Sequence, residues 1–123
     1  ETVKDISIGA LQEEVKEWQY KTFGQVVPSY LALIKLYEES GELAHHYIRR
    51  IERRVGAKPE DAEAGIRDAV ADVLITLMVF CVREGLDLSQ ITQEVWAEVQ
   101  YRAYKVGLSY PDAPATDAPE AAA

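Results

Sequence analysis

Five carboxylates lie on two stretches of the chain that the sequence predicts to be helical. Glu38, Glu39 and Glu42 fall in "EESGE", and Asp68 and Asp72 fall in "DAVAD". Like charges three or four residues apart on a helix are neighbours and repel each other, so a helix gains nothing from this spacing alone. Carboxylate oxygens are the ligands that Mg²⁺ and Mn²⁺ prefer. If the two helices are neighbours, the spacing predicts a divalent-metal site between them.

Two ordinary explanations compete with a metal site. Glutamate-rich helix faces are usually solvated, which would account for "EESGE" taken alone. Asp72, however, interrupts the apolar run 69–82, "AVADVLITLMVFCV", where an unpaired buried carboxylate would cost several kcal/mol. An arginine such as Arg67 or Arg49 could pair with it. Two acidic clusters on consecutive helices favour the metal interpretation.

The elements that must position these acids are four predicted helices, 6–23, 28–54, 60–84 and 88–106. Apolar residues recur at three- and four-residue steps. The expected inward positions include Ile8, Leu11, Val15 and Trp18 on the first helix and Leu31, Ile34, Leu43, Tyr47, Ile48 and Ile51 on the second. The third helix, apolar nearly all round, should be central. Gly56 and Gly85 suit helix ends, and Asp87 with Gln90 resembles a capping box. The fold class is all-α, an antiparallel four-helix bundle-like domain.

Composition narrows the function classes. The 123-residue chain has a net charge of −8 and 48% hydrophobic residues, so its overall field does not attract nucleic acid. The single cysteine, Cys81, cannot form an intrachain disulfide, and the longest apolar run is shorter than the roughly 20 residues that span a bilayer. We expect a cytoplasmic protein with no membrane span. The domain should cover 1–108, and the Pro- and Ala-rich segment 109–123 should be a disordered tail.

The two acidic motifs, taken together, resemble a known family. "EESGE" followed on the next helix by "DAVAD" is similar to the EExxE and ExxD motifs of the MazG-like all-α nucleoside triphosphate pyrophosphohydrolases. The resemblance covers roughly 15–106 and includes "KLYEESGELA" and "VWAEVQYRAYK". It implies Mg²⁺-dependent hydrolysis of a nucleoside triphosphate, foremost a deoxynucleotide, to the monophosphate and pyrophosphate in nucleotide-pool house-cleaning. It also implies a homodimer or homotetramer.

The resemblance implies roles for the clustered acids: metal ligands at Glu39, Glu42 and Asp72, and a water-activating base or further metal ligand at Glu38. The chain departs from the family pattern at one position. The glutamate of ExxD falls on Ala69, which cannot bind a metal. Asp68, adjacent in sequence and one turn before Asp72, is the expected substitute ligand. Mn²⁺ could replace Mg²⁺ at such a site.

Four further residues are candidate substrate ligands. Lys35 lies one turn before Glu38 and could bind phosphate, as could Arg102 and Lys105, which lie within the segment that resembles the family. Trp18 could stack on a base. The competing explanations are ordinary surface cations for the first three and core packing for the tryptophan.

Two other functions remain open on the sequence. Glu42 and His45 form an ExxH spacing used by di-iron carboxylate bundles, but a second such motif is missing. The chain could also be a helical binding or regulatory module without catalytic activity.

Overall fold

The computed structural model of the chain describes residues 5–52 and 55–106, with side chains as far as residue 103. Four α-helices make up this part, without any strand: α1 (Ile8–Phe23), α2 (Ser29–Glu52), α3 (Pro59–Glu84) and α4 (Leu88–Val106). The predicted all-α class is confirmed, and each described helix boundary agrees with the predicted one to within two residues. The predicted disordered tail lies outside the described residues.

Local sequence explains where the helices begin and end. The Ser7 hydroxyl accepts a 3.1 Å hydrogen bond from the backbone N–H of Ala10 at the start of α1. Gly85 ends α3 in the left-handed conformation, with φ of 67°, which glycine adopts without steric cost. The Asp87 carboxylate accepts a 3.1 Å bond from the N–H of Gln90. The predicted cap of α4 is therefore confirmed.

The described helices belong to two compact units, residues 1–91 and 92–123. In the first unit α3 packs beside both α1 and α2. The hydroxyl of Ser29, at the start of α2, donates a 2.8 Å bond to Glu84, at the end of α3. At the other end, Arg50 of α2 and Glu63 of α3 form a 2.7 Å ion pair.

The buried core of the first unit is small. Its centre comprises Val15, Ala32, Met78 and Val79, with Leu11, Val27, Phe80 and Leu88 packed around it. The most buried polar side chain is Gln19, whose Oε1 accepts a 2.8 Å bond from the N–H of Val27. The inward stripe of α1 therefore runs through 11, 15 and 19, and the predictions that placed Ile8 and Trp18 inward are wrong.

A glutamine also joins α1 to the connection between α3 and α4. The Gln12 side chain donates a 2.7 Å bond to the backbone oxygen of Leu86 and accepts a 3.0 Å bond from the N–H of Leu88. Its amide therefore satisfies two backbone groups that the helix ends leave unpaired.

The predicted inward residues of α2 are mostly exposed. Leu43 is half-buried, but Leu31, Ile34, Tyr47, Ile48 and Ile51 are exposed. α3 contacts both α1 and α2, which agrees with the central position predicted for it. These two neighbours do not cover it on all sides, since Val70 is 54% exposed and Leu74 38%. None of the described helices is long and apolar enough to cross a membrane.

Candidate metal centre between α2 and α3

Glu39 is the most enclosed of the five predicted acids. Its side chain is 14% exposed, and its Oε2 atom is buried without a hydrogen-bond partner. The other oxygen, Oε1, lies 3.8 Å from the Lys35 ammonium. A buried carboxylate oxygen normally has a partner, because leaving it unpaired costs free energy. A cation or a hydrogen-bond donor beside Oε2 would remove this cost.

Charges from both helices act on the carboxylate of Glu39. Burial raises the pKa of Glu39 above its ordinary value of 4.5, and the charges of Asp72, Glu42 and Glu38 raise it further, while Lys35 opposes them. Asp72 belongs to α3 and the other acids to α2. The structure thus brings acids from both helices within electrostatic reach of one carboxylate, as the spacing predicted.

Asp72 itself is exposed, so the argument that it is a charge in the apolar core is wrong. A run of apolar residues along a helix covers all sides of it, and only some of those sides are buried. On α3 the positions on either side of Asp72, Ala69 and Thr76, are the buried ones. Asp72 lies at the margin of this face, near enough for its charge to raise the pKa of Glu39.

The acids do not form a closed metal site in this conformation. Within the described part of the chain, no three His, Cys, Asp or Glu side chains are placed to hold a metal ion. The residues nevertheless fit a hard divalent cation, because the donors are carboxylate oxygens and one of them is buried and unpaired. Glu42 and Asp72, whose charges raise the pKa of Glu39, are exposed.

Ala69, the position at which the resemblance places a glutamate, faces inward. Ala69 is 3% exposed, so a longer side chain there would enter the packing beside α2. Asp68 is exposed and is not among the charges that raise the pKa of Glu39. The structure therefore does not bring the expected substitute ligand to Glu39.

Lys35 lies beside the acids. Its ammonium is 3.4 Å from Glu38 Oε1 and 3.8 Å from Glu39 Oε1. It therefore offsets part of the negative charge of these two glutamates.

The other three candidate substrate ligands, Trp18, Arg102 and Lys105, are further in the sequence from the acids than Lys35 is. Trp18 is 50% exposed, with its ring edge-on to Phe23 at 5.4 Å, so the core-packing alternative for it is wrong. Arg102 is exposed and belongs to the second unit. The side chain of Lys105 lies outside the described residues.

Sequence reasoning missed a close contact one turn beyond Glu42. His46 of α2 is half-buried, and its imidazole occupies the space that a Cβ at Gly65 of α3 would need. The mid-helix glycine was the available signal. His45, the histidine of the di-iron spacing, is exposed, and its ring lies 5.7 Å from that of His46.

His46 also borders a cavity of about 560 Å³ at the connection between α2 and α3. Its lining includes the basic residues Arg49, Arg50 and Lys58 together with Asp61 and Glu63. The lining therefore carries both signs of charge, and Arg50 is already paired with Glu63 across it.

No protein-family model, curated protein or solved structure matches this chain.

Proposed function

We propose that this chain hydrolyses a nucleoside triphosphate, foremost a deoxynucleotide, to the monophosphate and pyrophosphate with Mg²⁺ held between α2 and α3. The observation that carries the proposal is Glu39, a carboxylate with a buried, unpartnered oxygen and three further acids acting on it. A divalent cation bound there would supply a partner for Oε2 and neutralise the clustered charges. The resemblance of "EESGE" and "DAVAD" to the pyrophosphohydrolase motifs supports the same reaction.

The residues take different parts in this proposal. Glu39, Glu42 and Asp72 would hold Mg²⁺, or Mn²⁺ in its place; the ion, when bound, neutralises phosphate charge and lowers the pKa of water. Glu38 is exposed beside them and would accept a proton from the attacking water. Lys35 would contact a phosphate once cations replace it as the partner of the acids. In phosphoryl transfer, positioning and charge neutralisation supply most of the rate.

The finer architecture belongs to the same proposal. The contacts of Ser29 with Glu84 and of Arg50 with Glu63 support an antiparallel arrangement of α2 and α3. We extend it to an antiparallel four-helix bundle that assembles as a homodimer or homotetramer. The buried, unpaired Cys81 agrees with a reducing compartment. We therefore place the reaction in the cytoplasm, in nucleotide-pool house-cleaning.

The test is a panel of ribo- and deoxynucleoside triphosphates with Mg²⁺, with pyrophosphate and inorganic phosphate measured separately. Glu39→Gln and Asp72→Asn should each lower turnover at least about a hundredfold, the scale for losing a positioned electrostatic group. Glu14→Gln, which removes an exposed acid from α1, is the matched control and should leave turnover unchanged. Release of inorganic phosphate, or full turnover in the Asp72 variant, would refute the assignment.

A further inference from the structure

α2 carries a second apolar stripe on the side that the first unit leaves uncovered. Its residues are Tyr30, Ile34, Tyr37, Gly41, Ala44, Ile48 and Ile51, and all seven are exposed. The steps between them alternate strictly between four and three, which is the heptad spacing of helices that pack along their length. Tyr37, at the middle of the stripe, is 85% exposed. We call these seven residues the α2 stripe.

The α2 stripe is distinct from the face that packs on α3. Residues of α2 that face α3 include Ala32, Glu39 and His46, each separated from the next by seven positions. Successive residues of a helix are rotated by about 100°. On that rotation the α2 stripe is centred on the opposite side of the helix. α2 therefore has two apolar faces, and α3 covers one of them.

Gly41 supplies an independent observation at the centre of the α2 stripe. A Cβ added there would meet no atom within 4 Å, and Gly41 is not among the glycines with a positive φ. Neither packing within the chain nor the backbone conformation requires glycine. Glycine in a helix interior is unfavourable. A close approach by a helix from outside the first unit would require glycine at position 41.

The order of residue sizes along the α2 stripe indicates which surface packs against it. Three large residues precede Gly41 (Tyr30, Ile34 and Tyr37), and Ala44, Ile48 and Ile51 follow it. If two copies of α2 cross antiparallel with Gly41 on the two-fold axis, each Tyr37 meets Ala44 of the other copy, and each Ile34 meets Ile48. The stripe is thus complementary to itself, which a two-fold interface requires.

The exposed area is also of the size that a dimer needs. At the measured exposures of its five large residues, 65%, 62%, 85%, 49% and 61%, the α2 stripe presents on the order of 700 Å² per chain. Stable interfaces bury about 800 Å² per partner, and exposed apolar patches of this size on monomers are rare.

We propose that the α2 stripe is a homodimer interface in which two α2 helices pack antiparallel around Gly41. The stripe faces away from Glu39 and α3, so the interface does not depend on the proposed hydrolysis, and either can fail alone. The partner at this interface is a second copy of this chain, because the residues of the α2 stripe are complementary to themselves about Gly41.

Sedimentation equilibrium is the first test. The unmodified chain should have about twice the 13.8 kDa mass of one chain at micromolar concentration. Tyr37→Glu should reduce the mass to that of a monomer without loss of helical circular dichroism, because a charge at the centre of the stripe would be desolvated in the dimer. Val70→Glu, at an exposed position of α3, is the matched control and should remain dimeric. A monomeric unmodified chain, or a Tyr37→Glu dimer, overturns the proposal.

Disulfide trapping tests the direction of packing without a disruptive charge. In the antiparallel dimer Ile34 lies opposite Ile48, whereas like positions are separated by about 21 Å at 1.5 Å per residue. Ile34→Cys chains mixed with Ile48→Cys chains should form a mixed disulfide under mild oxidation, and neither variant should cross-link with itself, because a disulfide needs Cα atoms within about 7 Å. The native Cys81 is buried, and the unmodified chain serves as the blank. Cross-linking of either variant alone, or none in the mixture, overturns the proposal.

Discussion

Replacing Glu39 by glutamine should stabilise the metal-free protein while it removes activity. The buried Oε2 of Glu39 has no partner, and Asp72, Glu42 and Glu38 all raise its pKa. The amide removes the negative charge and keeps the shape of the side chain. Its NH₂ group can also donate to the surrounding carboxylates. A residue that supports the fold would show the opposite sign, because its loss would weaken the protein.

The size of the gain follows from the local contacts. A like-charge helix pair costs about 0.2–0.5 kcal/mol, and Glu39 has such a neighbour in Glu42 and a further charge in Asp72 across the interface. An unpaired buried oxygen costs about 1–3 kcal/mol, of which glutamine recovers part. The lost attraction to Lys35, at 3.8 Å, is worth less than about 1 kcal/mol because the lysine is exposed. The net gain should be about 1 kcal/mol at pH 7, or about 4 °C in melting temperature.

The same reasoning fixes the pH dependence. Because the pKa of Glu39 is raised in the folded protein, the folded state holds the proton more tightly than the unfolded state. The ionised carboxylate therefore costs stability only above the ordinary value of 4.5, and the cost grows as the pH rises through the raised pKa. The advantage of Glu39→Gln should be full at pH 7.5 and largely absent at pH 4.

The assay is thermal unfolding in EDTA and again in excess Mg²⁺. In EDTA the Glu39→Gln variant should melt higher than the unmodified protein. Added Mg²⁺ should raise the melting temperature of the unmodified protein and not that of the variant, because a ligand stabilises only a fold that binds it. Glu14→Gln should stay within about 0.5 kcal/mol of the unmodified protein in both buffers. A Glu39→Gln variant that melts lower in EDTA at pH 7.5 would refute the idea of a crowded, cation-seeking carboxylate.

Three further predictions follow from the helix contacts. Gly65→Ala should destabilise the protein by about 1–3 kcal/mol in urea unfolding, because the added methyl group clashes with the imidazole of His46. In a His46→Ala background the same change should stabilise the protein by up to about 1 kcal/mol, because alanine has a higher helix propensity than glycine. Equal effects in both backgrounds would contradict the contact. Gly41→Ala should weaken the dimer at least tenfold in sedimentation despite its better helix propensity, and an unchanged dimer would argue against close approach. Asp68→Asn should change turnover less than threefold, because Asp68 is not among the charges that act on Glu39; a loss of a hundredfold or more would show that Asp68 is a ligand.

The helices could be predicted from the sequence because their signals are local. The Asp87 cap and the left-handed Gly85 act within one turn, so they read the same in the sequence as in the structure. The inward faces could not be predicted as well. On α2 two apolar stripes satisfy the same periodicity, and the pattern does not say which of them meets α3. On α1, Gln19 replaces an apolar residue because its amide satisfies the N–H of Val27.

The candidate site was also predictable only in part. The two acidic motifs predicted that Asp72 and Glu39 approach each other, since that follows from helix order and a short connection. The burial of Asp72 was inferred from its apolar neighbours in the sequence, but Asp72 lies at the margin of the buried face that Ala69 and Thr76 occupy, and its side chain is exposed. The contact of His46 with Gly65 depends on the register of two helices. A single sequence shows that position 65 is glycine, but it does not show which residue of α2 lies beside it.

The close pairing of α2 and α3 has a consequence for how the chain folds. Residues 53–58 connect the two helices, so closing this hairpin costs little chain entropy. We expect the hairpin to form early, before α1 docks on α3. We also expect its formation to be part of the rate-limiting step, so that repulsion between the acids it brings together slows folding. Folding should accelerate in stopped-flow refolding when Mg²⁺ is added or when Glu39 is replaced by glutamine, and a refolding rate insensitive to both would place the meeting of these helices after the barrier.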